Sequence, residues 1–263
     1  MLGVKPPRIG AALYNEFRGS LESFLHFLNN EGISYVEIGK DWIPTRRELG
    51  RFRDLLEIYE LKATLHISDH YNLAELKQKA WKRNILGVLG DLSVCYDLEV
   101  ESAVLHCGWV SDARYMSKAV KRFVEAYNLV SGFANDLNVI IGLENQCRDD
   151  TKKFVFQTDE DVNRLVELSE KEMFFVLDVG HLGRLGIPLE KMVSSIGDRL
   201  VEIHLHDYNE LGRDHLPLGA GKLNKKLVFM IIEEKNPLVT IENKSVGDIR
   251  RTIRCLSSTS GGK

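Results

Sequence analysis

The sequence predicts a single closed (β/α)8 barrel. Three observations carry that expectation. Eight short β-branched or apolar runs recur along the chain, their starts about 33 residues apart, close to the roughly 31 per unit expected when about 250 residues are shared by eight strand-helix units. Amphipathic stretches of helical length separate the runs, and no hairpin turn joins successive strands, which argues for a parallel sheet with right-handed crossovers. No G-x-G-x-x-G or phosphate loop follows the first run, as an open doubly wound sheet built for nucleotides would have.

The strand runs are residues 8–13, 33–38, 62–67, 101–107, 138–144, 173–178, 200–206 and 237–242. After the first, Leu21, Phe24, Leu25 and Leu28 fall on one helical face, with Ser20 placed as N-cap and Gly32 as the stop. Phe123, Tyr127 and Val130 continue such a face in the fourth unit. In residues 158–169 Thr158 caps the helix, and Asp161 completes a variant capping box. No linker interrupts the beat, so one domain is expected over residues 1–256, followed by a short polar tail, residues 257–263.

Composition narrows the function. The chain has 263 residues, 44% hydrophobic and 28% charged, the balance of an ordinary globular protein. Lys plus Arg number 35 against 38 Asp plus Glu, a formal charge of −3, so no global positive field draws it to nucleic acid or anionic membrane. Apolar runs such as residues 139–143 and 173–177 are far shorter than a membrane span, and the start lacks a signal-type stretch, so a cytoplasmic location is expected. Cys95, Cys107, Cys147 and Cys255 form no C-x-x-C pair and are read as reduced and structural. The basic runs Arg46, Arg47, Arg51, Arg53 and Lys77, Lys79, Lys82, Arg83 fall in predicted helices and are read as solvated faces.

The active site of such a barrel lies at the C-terminal ends of its strands. There the sequence repeats one chemical type: His66 and His106 stand next to the ends of the third and fourth runs, Glu144 ends the fifth and Asp178 the sixth, His204 and His206 lie in the seventh, and Glu242 ends the eighth. Seven of the eight histidines sit in these ends or the loops just after them, leaving only His26 on a helix. Converging carboxylates and imidazoles would repel or lose hydration, costing on the order of several kcal/mol, unless something positive sits among them. A divalent cation answers that need. Glu202, His204 and His206 alternate onto one face and cannot all be ligands; His204 is preferred, with Glu202 deeper in the barrel. The loop 212–221 adds Asp214 and His215, with Gly219 and Gly221 allowing a close turn, whereas His70 and Tyr71 read as surface loop residues.

In their order along successive strands, these motifs resemble the xylose isomerase-like TIM-barrel superfamily, which includes sugar phosphate isomerases and epimerases and the endonuclease IV branch. The resemblance spans nearly the whole chain. It implies a common metal site of Glu144 in Gly142-Leu143-Glu144-Asn145, Asp178 in Leu177-Asp178-Val179-Gly180-His181, His204 in His204-Leu205-His206-Asp207, and Glu242 in Thr240-Ile241-Glu242-Asn243. It implies for His181 a contact to substrate in the epimerases or to a second metal in endonuclease IV. His66 with Asn72-Leu73-Ala74, His106 in Leu105-His106-Cys107-Gly108 and His215 before Leu218-Gly219-Ala220-Gly221 resemble further ligands of endonuclease IV. The late loop departs from that pattern: Arg213 stands where the endonuclease has an aspartate, with Asp214 adjacent.

Two functions follow from the resemblance. One is a metal-dependent isomerase or epimerase of a small hydroxycarbonyl carbohydrate, with Glu144 and Glu242 moving a proton on opposite faces of the carbon next to a metal-polarised carbonyl. His181 and Arg213 would position hydroxyls, and Trp109 or Trp42 could wall the pocket. The metal would be Zn, Mn, Mg or Co. The other is a zinc phosphodiesterase acting at abasic DNA, the one reading that makes nucleic acid a partner. A noncatalytic metal-binding use of the same barrel is a third class.

Overall fold

The computed structural model describes residues 7–40 and 42–259. The strands are β1 (Arg8–Ala12), β2 (Tyr35–Ile38), β3 (Lys62–His66), β4 (Ser102–His106), β5 (Ile140–Glu144), β6 (Phe174–Asp178), β7 (Leu200–Leu205) and β8 (Leu238–Ile241). Every neighbouring pair is parallel, strand order follows chain order, and β8 pairs back to β1 to close the barrel. Each strand lies inside its expected run.

The main helices form the outer layer: α1 (Leu21–Asn30), α2 (Arg46–Ile58), α3 (Gln78–Leu92), α4 (Met116–Asp136), α5 (Asp159–Leu168), α6 (Val179–Leu185), α7 (Leu189–Ile196), α8 (Lys225–Lys235) and α9 (Val246–Thr259). α1 buries Phe24, Leu25, Phe27 and Leu28, and α4 buries Phe123, Tyr127 and Val130. Full burial of each such side chain contributes about 1.5–3 kcal/mol, which is what holds the helices to the barrel. Thr158 and Asp161 form the expected capping box at α5, whereas Ser20 occupies the N-cap of α1 without a side-chain capping bond. The basic runs on α2 and around the start of α3 are exposed. α9 carries on to Thr259, so residues 257–259 of the expected tail are helical, and residues 260–263 lie outside the described region. Among the described residues no helix is long and apolar enough to cross a membrane, and all four cysteines are free.

Period-two alternation turns Glu202 and His204, and Thr240 and Glu242, to one face of their strands. That face is the barrel interior, because Thr240 Oγ1 donates to Glu202 and His204 Nε2 lies 3.2 Å from Glu37 Oε2 on β2. Register brings His106 level with Glu144, and Asp178 and Thr240 level with His204. An antiparallel pair of two-residue strands, Trp109–Val110 and Lys153–Phe154, joins the loops after β4 and β5. Strands that short carry no readable alternation, which hid them in the sequence.

A candidate metal centre at the strand ends

The floor of the mouth is built on His204. This fully buried imidazole presents Nδ1 to Glu144 Oε1 at 3.2 Å and to Glu242 Oε1 at 3.0 Å. Glu144 Oε2 also faces two further imidazoles: it accepts from His106 Nε2 at 2.7 Å and lies 3.1 Å from His66 Nε2. Burial alone would push the Glu144 carboxyl up, but His204, His106 and Lys40 outweigh it and hold it well below the usual carboxylate range. Burial likewise opposes ionisation of Glu242, and Lys40 and His204 overcome it. Both carboxylates are therefore held as anions. His204 responds in kind: burial disfavours its charged form, yet Glu242, Glu37 and Glu144 raise its pKa well above the ordinary imidazole value.

Asp178 gathers a second group. It caps α6 by accepting from the His181 backbone N–H at 2.7 Å, its Oδ2 lies 3.2 Å from His181 Nδ1, and its Oδ1 lies 3.1 Å from His206 Nε2. The backbone N–H of His215 donates to His206 Nδ1 at 3.1 Å. That nitrogen must carry a lone pair, so the neutral ring has its proton on Nε2 and donates it to Asp178. In that tautomer His206 orients Asp178 through Nε2. Gly180 makes room for it, since a Cβ there would overlap the His206 ring. Asp178 and Glu144 are linked through His181, whose Nδ1 is 3.8 Å from Glu144 Oε1.

The rim imidazoles share a different arrangement. Nδ1 of His66 faces the carbonyl of Ile67 at 3.0 Å, that of His181 the carbonyl of Asn145 at 3.1 Å, and that of His215 the carbonyl of Glu242 at 2.9 Å. A carbonyl only accepts, so each Nδ1 carries a proton and the lone pair of the neutral ring falls on Nε2. Burial and the neighbouring His206 lower His215 to about 4, which keeps it neutral at ordinary pH. Asp214, beside it, is engaged by the guanidinium of Arg184. Burial raises its carboxyl, but His215 and Arg184 more than compensate. Arg213, expected among substrate hydroxyls, is exposed and does not line the cavity; its backbone N–H belongs to a turn organised by the Asn209 side chain. Trp42 and Trp109 do not line it either: Trp42 packs edge-on against Phe52, and Trp109 lies beneath Lys152.

Three side chains that approach these groups escaped the sequence. Tyr14 and Lys40 follow β1 and β2 at the same two-residue offset, and both line the mouth cavity. The Lys40 ammonium pairs with Glu242. Burial pushes Tyr14 well up, reinforced by Glu242. Burial would lower Lys40, but Glu242 and Tyr14 raise it well above the usual lysine value. Gly39, at φ +109°, permits that placement, because a Cβ there would overlap the His66 carbonyl. Glu37 lies one residue inside the end of β2. The available signal was the offset beyond the first two strands, whose final residues carry no ligand chemistry of their own.

The donor set fits a divalent cation. Three groups, His66 with Glu144 and His204, Glu37 with His204 and Glu242, and His206 with His215 and Glu242, each bring ligand atoms within 4.8 Å of one another, as does Asp178 with His181 and His206. Both carboxylate oxygens of Glu37, and His204 Nε2, are buried without a hydrogen-bond partner among the described residues, whereas Glu242 has the Lys40 ammonium and His204 Nδ1 beside it. Carboxylate oxygens and imidazole nitrogens together suit zinc, manganese, magnesium or cobalt. Above them opens a cavity of about 270 Å³, walled by Tyr14, Lys40, His66, His106, Glu144 and His215 among others.

One loop of the mouth is fastened by a single side chain. The buried Asp207 carboxylate accepts four backbone N–H bonds: Oδ1 from Tyr208 at 2.8 Å and Leu223 at 2.9 Å, Oδ2 from Gly219 and Gly221, both at 2.9 Å.

A parallel eight-stranded barrel with carboxylates and imidazoles at its C-terminal mouth defines a class, and the chain belongs to it: the xylose isomerase-like TIM barrel family, whose model matches residues 25–259. Among relatives, an uncharacterized protein of Methanocaldococcus jannaschii is 28% identical over 245 residues, 92% of this chain and 94% of that one. A probable endonuclease 4 of Sulfurihydrogenibium sp. is 27% identical over 231 residues, 80% of this chain and 82% of that one. Among solved structures, a D-tagatose 3-epimerase-like protein superposes with a TM-score of 0.81 at 21% identity, covering 95% of this chain and 96% of that one. D-psicose 3-epimerase of Clostridium cellulolyticum gives 0.79 at 14% identity, covering 96% and 98%. At these identities the solved structures share the fold.

Proposed function

We propose that the protein is a divalent-metal-dependent isomerase or epimerase of a small sugar or sugar phosphate, working by proton transfer at the carbon next to a carbonyl. The observation that carries this reading is the pair of buried, anionic carboxylates, Glu144 and Glu242, flanking one imidazole nitrogen beneath the cavity. The names of the epimerase structures with this fold support it. So does the cavity volume, which sits near the lower edge of the roughly 300–1,000 Å³ typical of ligand pockets and suits a small substrate.

In this reading Glu144, Asp178, His204 and Glu242 hold the metal, which supplies Lewis-acid polarisation of the substrate carbonyl and stabilises the negative charge that develops there. Glu144 opens onto the cavity and takes the proton as its carboxylate; its imidazole partners keep it ionised until it does so. Glu242, an anion paired with the Lys40 ammonium, returns to the opposite face a proton that it takes from that ammonium, and solvent restores the proton on Lys40 and removes the one on Glu144 between turnovers. Lys40 and Tyr14 donate hydrogen bonds to substrate oxygens on that side, and His181 orients a hydroxyl from the other. His66, His106 and His215 wall the pocket.

The test is solvent exchange. Protein loaded in turn with Mn²⁺, Co²⁺, Mg²⁺ or Zn²⁺ is incubated in D₂O with ketoses, ketose phosphates and keto derivatives of polyols, and deuterium at the carbon next to the carbonyl is followed by NMR. Incorporation that requires metal and is lost on replacing Glu144 is expected; no exchange with any combination overturns the reading. A second reading has its own support, since His181 and His215 are set with Nε2 free for metal and a relative is named as a probable endonuclease. Two or more zinc ions per chain, with nicking of an abasic duplex that disappears in His106→Ala, would put the phosphodiesterase first.

A further inference from the structure

Glu37 takes no part in the proton transfer described above, yet it is 1% exposed and neither of its carboxylate oxygens has a hydrogen-bond partner among the described residues. A buried carboxylate in that condition is expensive, so its nearest polar neighbour is informative. That neighbour is His204 Nε2, 3.2 Å from Glu37 Oε2, itself buried and without a hydrogen-bond partner among the described residues. The second carboxylate near this nitrogen, Glu202 Oε1 at 3.7 Å, is taken up by the Thr240 hydroxyl. His204 is therefore strung between two levels of the barrel, with Nε2 facing Glu37 below and Nδ1 facing Glu144 and Glu242 above.

We propose that Glu37 is a positioning residue that holds a proton on His204 Nε2 and thereby turns the Nδ1 lone pair toward the cation shared by Glu144 and Glu242. A neutral imidazole has one protonated and one bare nitrogen, and a metal needs the bare one. Without Glu37 the upper carboxylates would draw the proton to Nδ1, leaving the lone pair facing down the barrel, away from Glu144. The rim imidazoles solve the same problem with backbone carbonyls behind Nδ1. His204 projects inward from within a strand whose carbonyls are committed to the sheet, and there a side chain from another strand must do the work. The inference rests on the metal-centre reading of the mouth but not on which reaction that centre performs.

The experiment measures Zn²⁺ and Mn²⁺ binding by competition with a chromophoric chelator for the native protein, Glu37→Met and Glu37→Gln, and records the ring ¹⁵N correlations of His204 in the zinc-loaded proteins. The expected result is a 10- to 100-fold loss of affinity in Glu37→Met and a smaller loss in Glu37→Gln, which keeps an acceptor oxygen. In the native protein His204 shows a protonated Nε2 and a metal-bound Nδ1; in Glu37→Met that signature is lost or mixed. A residue that merely fills space would lower thermal stability and leave affinity and tautomer unchanged, and that outcome overturns the proposal. Should Glu37→Met fail to fold, unchanged affinity and tautomer in Glu37→Gln would overturn it alone. A native protein that binds neither ion removes the metal reading itself, a result distinct from native binding that Glu37 does not influence.

Discussion

The floor and the rim of the mouth use the same residue types under different rules. On the floor, His204, Glu144 and Glu242 are fully buried, their positions follow from strand alternation and register, and each is oriented by another charged side chain. On the rim, His181 and His215 are partly exposed, one on the first turn of α6 and the other on a loop, and each is oriented by a backbone carbonyl. The floor is thus an interdependent electrostatic unit in which any one change leaves a buried charge without its counterpart. The rim is a set of separate attachments whose losses should be graded.

The largest expected effect lies on the floor. Glu144→Gln or Glu242→Gln should reduce turnover by roughly 10²–10⁴-fold, the scale of a lost general base, with circular dichroism unchanged. Full activity in either purified variant would break the distinction. Removing the metal comes next: dialysis against a chelator should lower the melting temperature, and restoring a suitable ion at about 100 times its dissociation constant should return about 2.7 kcal/mol. A scan insensitive to chelation and to added ion would show that no cation joins the floor residues.

A subtler floor effect concerns Glu202, which burial and the adjacent Glu37 push up to about 8. Its folded pKa lies above the 4.5 of the free group, so the native state binds more protons than the unfolded chain between those values. Metal-free protein should therefore lose stability as pH rises from 4.5 toward 8, and Glu202→Gln should flatten that decline in denaturant titrations; an unaltered slope would contradict it. On the rim, His106→Ala removes a hydrogen bond to ionised Glu144, a loss of about 1.5–3 kcal/mol, and should slow proton transfer roughly ten- to a hundredfold. The smallest effect belongs to Arg213→Ala: an exposed residue outside the cavity should change stability by no more than about 0.5 kcal/mol and leave turnover near native, whereas a large loss of activity would return Arg213 to the substrate.

The same division explains what could be read from the sequence. Strand spacing exposed the barrel, and period-two patterning located His66, Glu144, Asp178, His204 and Glu242 at strand ends that do meet in one mouth. Ligand chemistry at a strand terminus is a local property and survives reduction to one dimension. Glu37 was missed because it looks like one polar residue inside an apolar strand until the barrel closes and brings His204 against it. Tyr14 and Lys40 lie past strands that end in Ala12 and Ile38, and only three-dimensional closure shows that these ends share the mouth with the others. Arg213 was overrated for the converse reason: nothing local reveals that Asn209 folds its turn outward while Arg184, far away in sequence, reaches Asp214.

The Asp207 staple bears on time as well as position. Because one buried carboxylate gathers backbone amides from Tyr208 to Leu223, the segment carrying His215 cannot peel away without stripping that carboxylate of all four donors together. Its amides should therefore exchange with solvent at the pace of the barrel rather than of a surface loop. Any gate that opens for substrate must then be sought elsewhere around the mouth, and the late loop behaves in kinetics as a ninth piece of the wall.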